Sequence, residues 1–190
     1  MIPALRRISL ALLFAMGSAS PVFAQTAYTR ALPASTVDFS ATQMGVAMHG
    51  HFKTLMAVVD FLPADLPKSH VSVAINAASV DAGSGQTDDL LTGSDWLDAK
   101  AYPQDRFTST GFTPAGPGKY LLAGQFTVKG KTQPLRVLVT THPVGANLVM
   151  DADFQLDRMA FGLGTGSWAD TGVVAAALPI HVHLVVAPQG

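Results

Sequence analysis

The chain has 190 residues and no cysteine, and 12 Lys and Arg residues nearly balance 13 acidic residues, so the net charge is −1 with neutral histidines. Disulfides are excluded, and without a basic excess nucleic acid is not an expected partner. All 13 acidic residues are Asp. Because Asp favours turns and caps whereas Glu favours helices, the composition indicates a protein of strands and turns.

Residues 1–24 have the parts of a secretory signal peptide. Two arginines precede the apolar run 8–16, and the triplet "VFA" places a cleavage motif at Ala24. The apolar run is shorter than the ~20 residues that span a bilayer. We predict cleavage after Ala24, one domain over 25–190, and a periplasmic mature chain without an integral membrane segment.

Alternating apolar and polar residues recur along most of the mature chain. They predict strands over 37–41, 44–49, 52–62, 71–76, 106–112, 120–128, 135–141, 148–156 and 178–186. Turn-rich segments separate these strands, and most intervals have no helical pattern. The chain is therefore predicted to be all-β, as an antiparallel barrel or sandwich.

One interval, "TDDLLTGSDWLDAKAYP" over 87–103, lacks the alternation. Thr87 or Asp88 is expected to cap a short helix, and Ser94 or Asp95 a second one, before Pro103 ends the segment. We expect one or two short helices over an end of the barrel.

The stretch "GQFTVKGKT", residues 124–132, looks superficially like a phosphate-binding loop. That motif requires glycine five residues before Gly130, where Gln125 stands instead. Alternation continues on both sides of Gly130, which indicates a β-hairpin with its turn at this glycine.

Histidines occur in two H-x-H pairs, His49/His51 and His181/His183. Residues i and i+2 of a strand face the same side, so each pair offers two metal ligands. His181 and His183 alternate with an apolar face and are expected to face solvent. No third ligand follows from the spacing, so we expect no metal site and no cofactor.

Other motifs give no sign of an enzyme. Asp151 and Asp153 alternate with apolar residues and are predicted to lie on a solvated strand face. The segment "GLGTG", 162–166, is followed by Ser167, so it lacks the dinucleotide-binding pattern and is expected to be a flexible turn. A G-x-S-x-G elbow and cysteine are both absent from the sequence.

Large apolar side chains occur on almost every predicted element. A barrel of about eight strands has an interior that side chains fill or that holds one ligand, and Met and Phe adapt to flexible apolar ligands. Ordinary core packing is the competing interpretation for each residue. The predicted ligand-binding residues are Phe39, Met44, Met48, Phe52, Leu91, Trp96, Leu97, Phe107, Phe126, Phe154, Phe161 and Trp168.

Several segments, in this order, resemble motifs of the YceI-like family of exported, lipocalin-like proteins. They are "VDFSATQMGVAMHGHF", "ADLPKSHVSVAINAASVDAG", "LLTGSDWLDAKAYPQDRFTST", "GQFTVKGKTQPLRV" and "DRMAFGLGTGSWADTGVV", and they span almost the whole mature chain. Leu97 and the run 175–177, which is Ala-Ala-Ala, depart from the family's usual phenylalanine and acidic residue. Both changes make the barrel mouth more apolar.

The resemblance implies a lipocalin-like antiparallel β-barrel of about eight strands that binds polyisoprenoids or other amphiphiles. We therefore expect a non-enzymatic periplasmic carrier for a polyprenyl or quinone-like lipid, with a homodimer left open as its assembly. Two alternatives remain: a small metal-dependent hydrolase that uses the His pairs, and a stress-response binding module with a solid core.

Overall fold

The computed structural model describes residues 28–188, which form one antiparallel sheet of eleven strands and two short helices. The strands are β1 Tyr28–Ala31, β2 Thr36–Gln43, β3 Val46–Phe52, β4 Leu55–Phe61, β5 His70–Asn76, β6 Val80–Asp81, β7 Gln104–Gly116, β8 Lys119–Val128, β9 Lys131–Val144, β10 Asn147–Asp157 and β11 Ala177–Pro188. The helices are α1 Gly85–Thr92 and α2 Arg158–Phe161. The predicted signal peptide and its cleavage after Ala24 lie outside the described residues.

The sheet curls into a barrel. Its order is β1-β4-β5-β7-β8-β9-β10-β11-β2-β3-β6, and β1 also pairs with β11. The ring of pairings from β1 round to β11 therefore contains eight strands, and β2, β3 and β6 extend the sheet beyond β11. The predicted all-β, lipocalin-like fold is confirmed. Within the described residues, no helix is long and apolar enough to cross a membrane.

Strand alternation decides which side chains fill the barrel. On β11, Ile180 and Leu184 belong to the apolar interior, whereas His181 between them is exposed. On β10, Met150 and Leu156 are buried in the same way. Because strand side chains alternate in direction, each of these strands presents one apolar and one polar face, as the sequence pattern predicts.

The hairpin between β8 and β9 turns at Lys129 and Gly130. Both residues have positive φ, 48° and 72°, and Val128 pairs directly with Lys131. Two consecutive positive φ values describe a type I′ turn, which matches the twist of the flanking strands. The segment "GQFTVKGKT" is thus two paired strands, and the hairpin prediction is confirmed.

A second tight turn joins β2 to β3, where the sequence predicted a strand beginning at residue 44. Met44 and Gly45 have φ of 49° and 82°, and Met44 is 76% exposed. The prediction that a strand begins at residue 44 was therefore wrong, because residues 44 and 45 form the turn and β3 begins at Val46. Met44 and Met48 lie an even number of positions apart, so the apolar–polar alternation continues through the turn and does not reveal it. Gly45 was the available sign, because glycine readily adopts the positive φ that this turn requires.

The helical interval begins earlier than predicted. Ser84, not Thr87 or Asp88, caps α1, and its hydroxyl accepts from the Thr87 N–H at 3.2 Å. Residues 93–103, all of them described, form turns and no second helix at Ser94 or Asp95. The second helix is α2, which directly follows β10 and is capped by the Asp157 carboxylate.

Candidate ligand-binding site

Two adjoining apolar cavities lie inside the barrel. The larger, of about 140 Å³, lies beside α1, and the smaller, of about 80 Å³, lies deeper between the strands. Val37, Ile75, Phe126 and Ile180 line both cavities. The cavities are therefore neighbours that share part of their walls.

Most predicted ligand-binding residues lie on the walls of the larger cavity. They come from β2, β3, β8, α1 and the two loops that cover this end of the barrel, and they are Phe39, Met48, Phe52, Leu91, Trp96, Leu97, Phe126 and Trp168. The structure thus brings together residues that are up to 129 positions apart in the chain. Their contact with a ligand stays a prediction.

Of the predicted ligand-binding residues, Phe126 is the one that lines both cavities. Phe107 and Phe154 line the smaller cavity with it. The Phe126 ring packs edge-on against Phe154 and Phe161, with centroids 6.1 and 5.7 Å apart. These contacts hold the Phe126 ring at the boundary between the cavities.

Two predicted residues lie elsewhere. Phe161 is buried on α2 and supports Phe126 from behind, but it is on neither cavity wall. Met44 is exposed in the β2–β3 turn and is also on neither wall. Ten of the twelve predicted ligand-binding side chains therefore lie on the cavity walls in the structure, and two lie outside them.

The larger cavity contains a buried carboxyl that the sequence analysis did not select. Asp105, 3% exposed, lines this cavity and accepts a hydrogen bond from the Lys129 N–H at 3.1 Å. Burial raises the pKa of Asp105 to about 6, and the hydrogen bond opposes that change. The sequence contained a sign of this position, because Asp105 lies two residues before the inward-facing Phe107 on β7 and therefore faces the same side of the strand.

Two loops cover the cavity at the α1 end. The Asp95 carbonyl accepts from the N–H groups of Gly164 and Thr165 at 2.7 and 3.0 Å, and the Asp95 carboxylate accepts from the Thr165 hydroxyl at 2.8 Å. The Trp96 and Trp168 rings pack with centroids 6.0 Å apart. We call residues 93–103 and 162–176 the cap.

Arg158 organises the cap from below. Its guanidinium is fully buried and donates to five main-chain carbonyls, those of Leu163, Gly164, Asp170, Val174 and Ala175. It also lies over the Trp96 ring, 5.7 Å from the centroid. Nothing in the sequence indicated this role, although Arg158 is the second residue of the segment "DRMAFGLGTGSWADTGVV".

One buried donor in the cap is unsatisfied. Trp96 is 7% exposed and lines the larger cavity, and among the described residues its indole N–H has no hydrogen-bond partner. Buried donors normally find an acceptor. An oxygen of a bound molecule is a suitable acceptor for this group.

His181 and His183 lie on the outer face of the sheet, as expected from their alternation, whereas His49 of the other pair also borders the larger cavity. His181 and His183 have side chains that are 45% and 34% exposed, and His49 and His51 are exposed. The apolar cavities are therefore separate from His181 and His183, which line neither of them.

Comparison with known proteins places most of this chain in one family model. The model described as the YceI-like domain matches residues 28–186. A UPF0312 protein from Vibrio campbellii is 28% identical over 104 residues, which are 54% of this chain and 55% of that protein. The chain thus spans about half the length of the curated relatives it matches.

Solved structures agree with the barrel. The crystal structure of Burkholderia cenocepacia BcnA is 40% identical and superimposes with a TM-score of 0.77, over 80% of this chain and 95% of that chain. A polyisoprenoid binding domain from Saccharophagus degradans has a TM-score of 0.65 at 12% identity, over 87% of this chain and 99% of that one. The second likeness shows the fold alone.

Proposed function

Because this chain belongs to the YceI-like family, we propose that it is a non-enzymatic carrier that holds the apolar chain of an isoprenoid-type lipid inside its barrel. The observation that carries the proposal is the pair of adjoining apolar cavities with Phe126 between them. The Saccharophagus degradans domain with the same fold is described as polyisoprenoid binding, which supports the ligand class.

The cavity sizes favour a slender ligand. Ligand pockets usually enclose about 300–1,000 Å³, and the two cavities together are smaller than this range. A bulky ring system needs more space than these two cavities offer. A thin prenyl chain suits two narrow adjoining cavities, provided that the Phe126 ring between them rotates to join them.

The residues that line the two cavities indicate the orientation of the bound lipid. The smaller cavity is lined only by apolar residues, whereas the larger also presents polar side chains from Gln43, His49, Thr87 and Asp105. We infer that the tail end of the lipid occupies the smaller cavity and that its polar end lies under the cap, near the free Trp96 N–H. Each buried CH₂ contributes about 0.8 kcal/mol, so the tail supplies most of the affinity.

The substitution Phe126→Ala tests whether the two cavities together hold one lipid chain. If Phe126 separates two cavities, its removal joins them, and the variant should shift its preference towards longer prenyl chains. Truncation of a packed core phenylalanine typically costs about 3–5 kcal/mol, and we expect a smaller loss here because the ring already borders open space. The measurements are the unfolding free energy of the ligand-free protein and its affinity for prenyl alcohols of graded length.

Phe112→Ala is the matched control. Phe112 is buried, whereas Phe126 is half-buried, and Phe112 packs against Phe61 and Tyr120 and lines neither cavity. It should lose the full stability of a core phenylalanine and keep the wild-type chain-length preference. If Phe126→Ala behaves like Phe112→Ala in both measurements, the barrel is solid at this point and the stress-response module becomes the better description.

Export of the carrier is a separate part of the proposal. Expression of the whole chain in a Gram-negative host should give a periplasmic protein whose N-terminal residue is Gln25. Intact-mass measurement of the periplasmic fraction checks this result. A cytoplasmic product that retains Met1 would contradict the signal-peptide prediction without affecting the proposed lipid site.

A further inference from the structure

Aspartate and histidine alternate across the outer face of the sheet. Direct cross-strand partners form a row from Asp153 on β10 through His181, Asp38 and His51 to Asp81 on β6. From the sequence, Asp153 and His181 are each predicted to lie on a solvated strand face, with no contact predicted between them. The strand register instead places carboxylates beside imidazoles.

The row is most compact at the β10–β11 pair. His181 Nδ1 lies 2.8 Å from an Asp153 carboxylate oxygen, and His183 Nδ1 lies 2.6 Å from an Asp151 carboxylate oxygen. One donor atom from each of Asp151, His181 and His183 lies within 4.8 Å of the others. Among the described residues, no other trio of potential metal ligands meets this condition.

We propose that Asp151, His181 and His183 form a surface binding site for a divalent transition-metal ion such as Zn²⁺. Neighbouring ligands of a tetrahedral zinc ion lie about 3.4 Å apart, given zinc–ligand distances near 2.1 Å. The three donor atoms already lie within 4.8 Å of one another, so small side-chain rotations would bring them to this distance. The sequence spacing showed two ligands, and the register of β10 on β11 supplies the third.

The surrounding carboxylates suit such a site. A histidine that binds a metal usually donates its other ring N–H to a carboxylate, which fixes the tautomer and the ring orientation. Asp153 occupies that position beside His181. A further imidazole lies nearby, since His142 Nδ1 is 3.8 Å from an Asp151 carboxylate oxygen.

The donor set selects the class of ion. Two imidazoles and a carboxylate suit zinc, copper and nickel, whereas calcium and magnesium prefer oxygen ligands only. The ion would join β10 to β11 on the outside of the barrel, away from the apolar cavities. The site therefore stands independently of the proposed lipid function.

Zinc titration of EDTA-treated protein tests the proposal. Calorimetry in a non-chelating buffer should give one Zn²⁺ per chain for the wild type, and His181→Ala with His183→Ala should remove this binding. Asp151→Asn keeps the size of the side chain and should weaken zinc affinity by about tenfold or more. Co²⁺ should give visible absorption bands in the wild type that these variants lose.

The second H-x-H pair provides the control. His49→Ala with His51→Ala removes the same residue types at the same spacing from β3, and it should keep stoichiometric zinc binding. Equal losses in the two double variants would show dispersed chelation by surface histidines and overturn the proposal. Unchanged affinity in Asp151→Asn, or no stoichiometric binding by the wild type, would also overturn it. Unfolding midpoints verify that each variant is folded.

Discussion

Arg158→Met should destabilise the protein by about 3 kcal/mol or more, because a buried carbonyl left without its donor costs about 1–3 kcal/mol. Five main-chain carbonyls accept from this guanidinium, and no side-chain substitution can remove main-chain acceptors. Burial lowers the pKa of Arg158, so the charge itself has a desolvation penalty that these carbonyls offset. Urea unfolding of the ligand-free protein measures the loss.

A lysine at this position should not rescue the cap. Arg158→Lys keeps a positive charge, but an ammonium group has three donors in a compact cluster and lacks the fork that reaches carbonyls on both sides. We expect a loss of stability close to that of Arg158→Met, together with faster proteolysis within residues 162–176. Rescue by lysine would show that charge alone, without the fork geometry, stabilises the cap.

Lys129→Met is the control for Arg158→Met. The Lys129 ammonium also donates to two main-chain carbonyls of the cap, those of Ser94 and Gly162, at 2.7 and 3.0 Å. These contacts are more open to water, which can replace the lost donor, so the expected loss is about 1 kcal/mol or less. Equal losses for Arg158→Met and Lys129→Met would contradict the role assigned to burial.

Asp105→Asn should change how stability depends on pH. Burial raises the pKa of Asp105 to about 6 in the folded protein, compared with 3.8 for an ordinary Asp. The folded state therefore holds this proton more tightly than the unfolded state, and the wild type loses stability as pH rises from about 4 to about 6. Two pKa units correspond to about 2–3 kcal/mol. By about pH 7 the loss is complete.

The amide introduced by Asp105→Asn can still accept from the Lys129 N–H and cannot ionise. The difference in unfolding free energy between this variant and the wild type should therefore move in favour of the variant by about 2–3 kcal/mol between pH 4 and pH 7. Paired urea titrations across this range isolate Asp105, because all other ionisable groups are common to both proteins. Asp89→Asn, at an exposed position of α1, is the control. A pH-independent difference for Asp105→Asn would contradict the raised pKa.

The same protonation should affect the proposed lipid site. Asp105 lines the larger cavity, so an ionised carboxylate opposes entry of an apolar chain. We expect prenyl alcohols to bind the wild type more tightly at pH 5 than at pH 7.5. Asp105→Asn should reduce this difference, and fluorescence of the nearby Trp96 offers a direct readout.

The sequence by itself determined most of the long strands and the faces that they bury. Alternation places Phe126 and Phe154 inside and His181 outside, and the structure agrees. Gly130 marked the β8–β9 turn. These features depend on neighbouring residues, because the side-chain period of a strand and the conformational freedom of glycine are local properties.

Only the tertiary structure decided which polar groups are buried and which polar side chains meet one another. Arg158 lies in a short helix whose burial depends on the cap that folds over it, and Asp105 is buried because β7 faces an enclosed end of the barrel. Asp151 meets His183 across 32 positions of sequence through the register of two strands. Period-2 alternation fixes which face a residue occupies but leaves its cross-strand partner open, because register is set by turns and packing along the whole barrel.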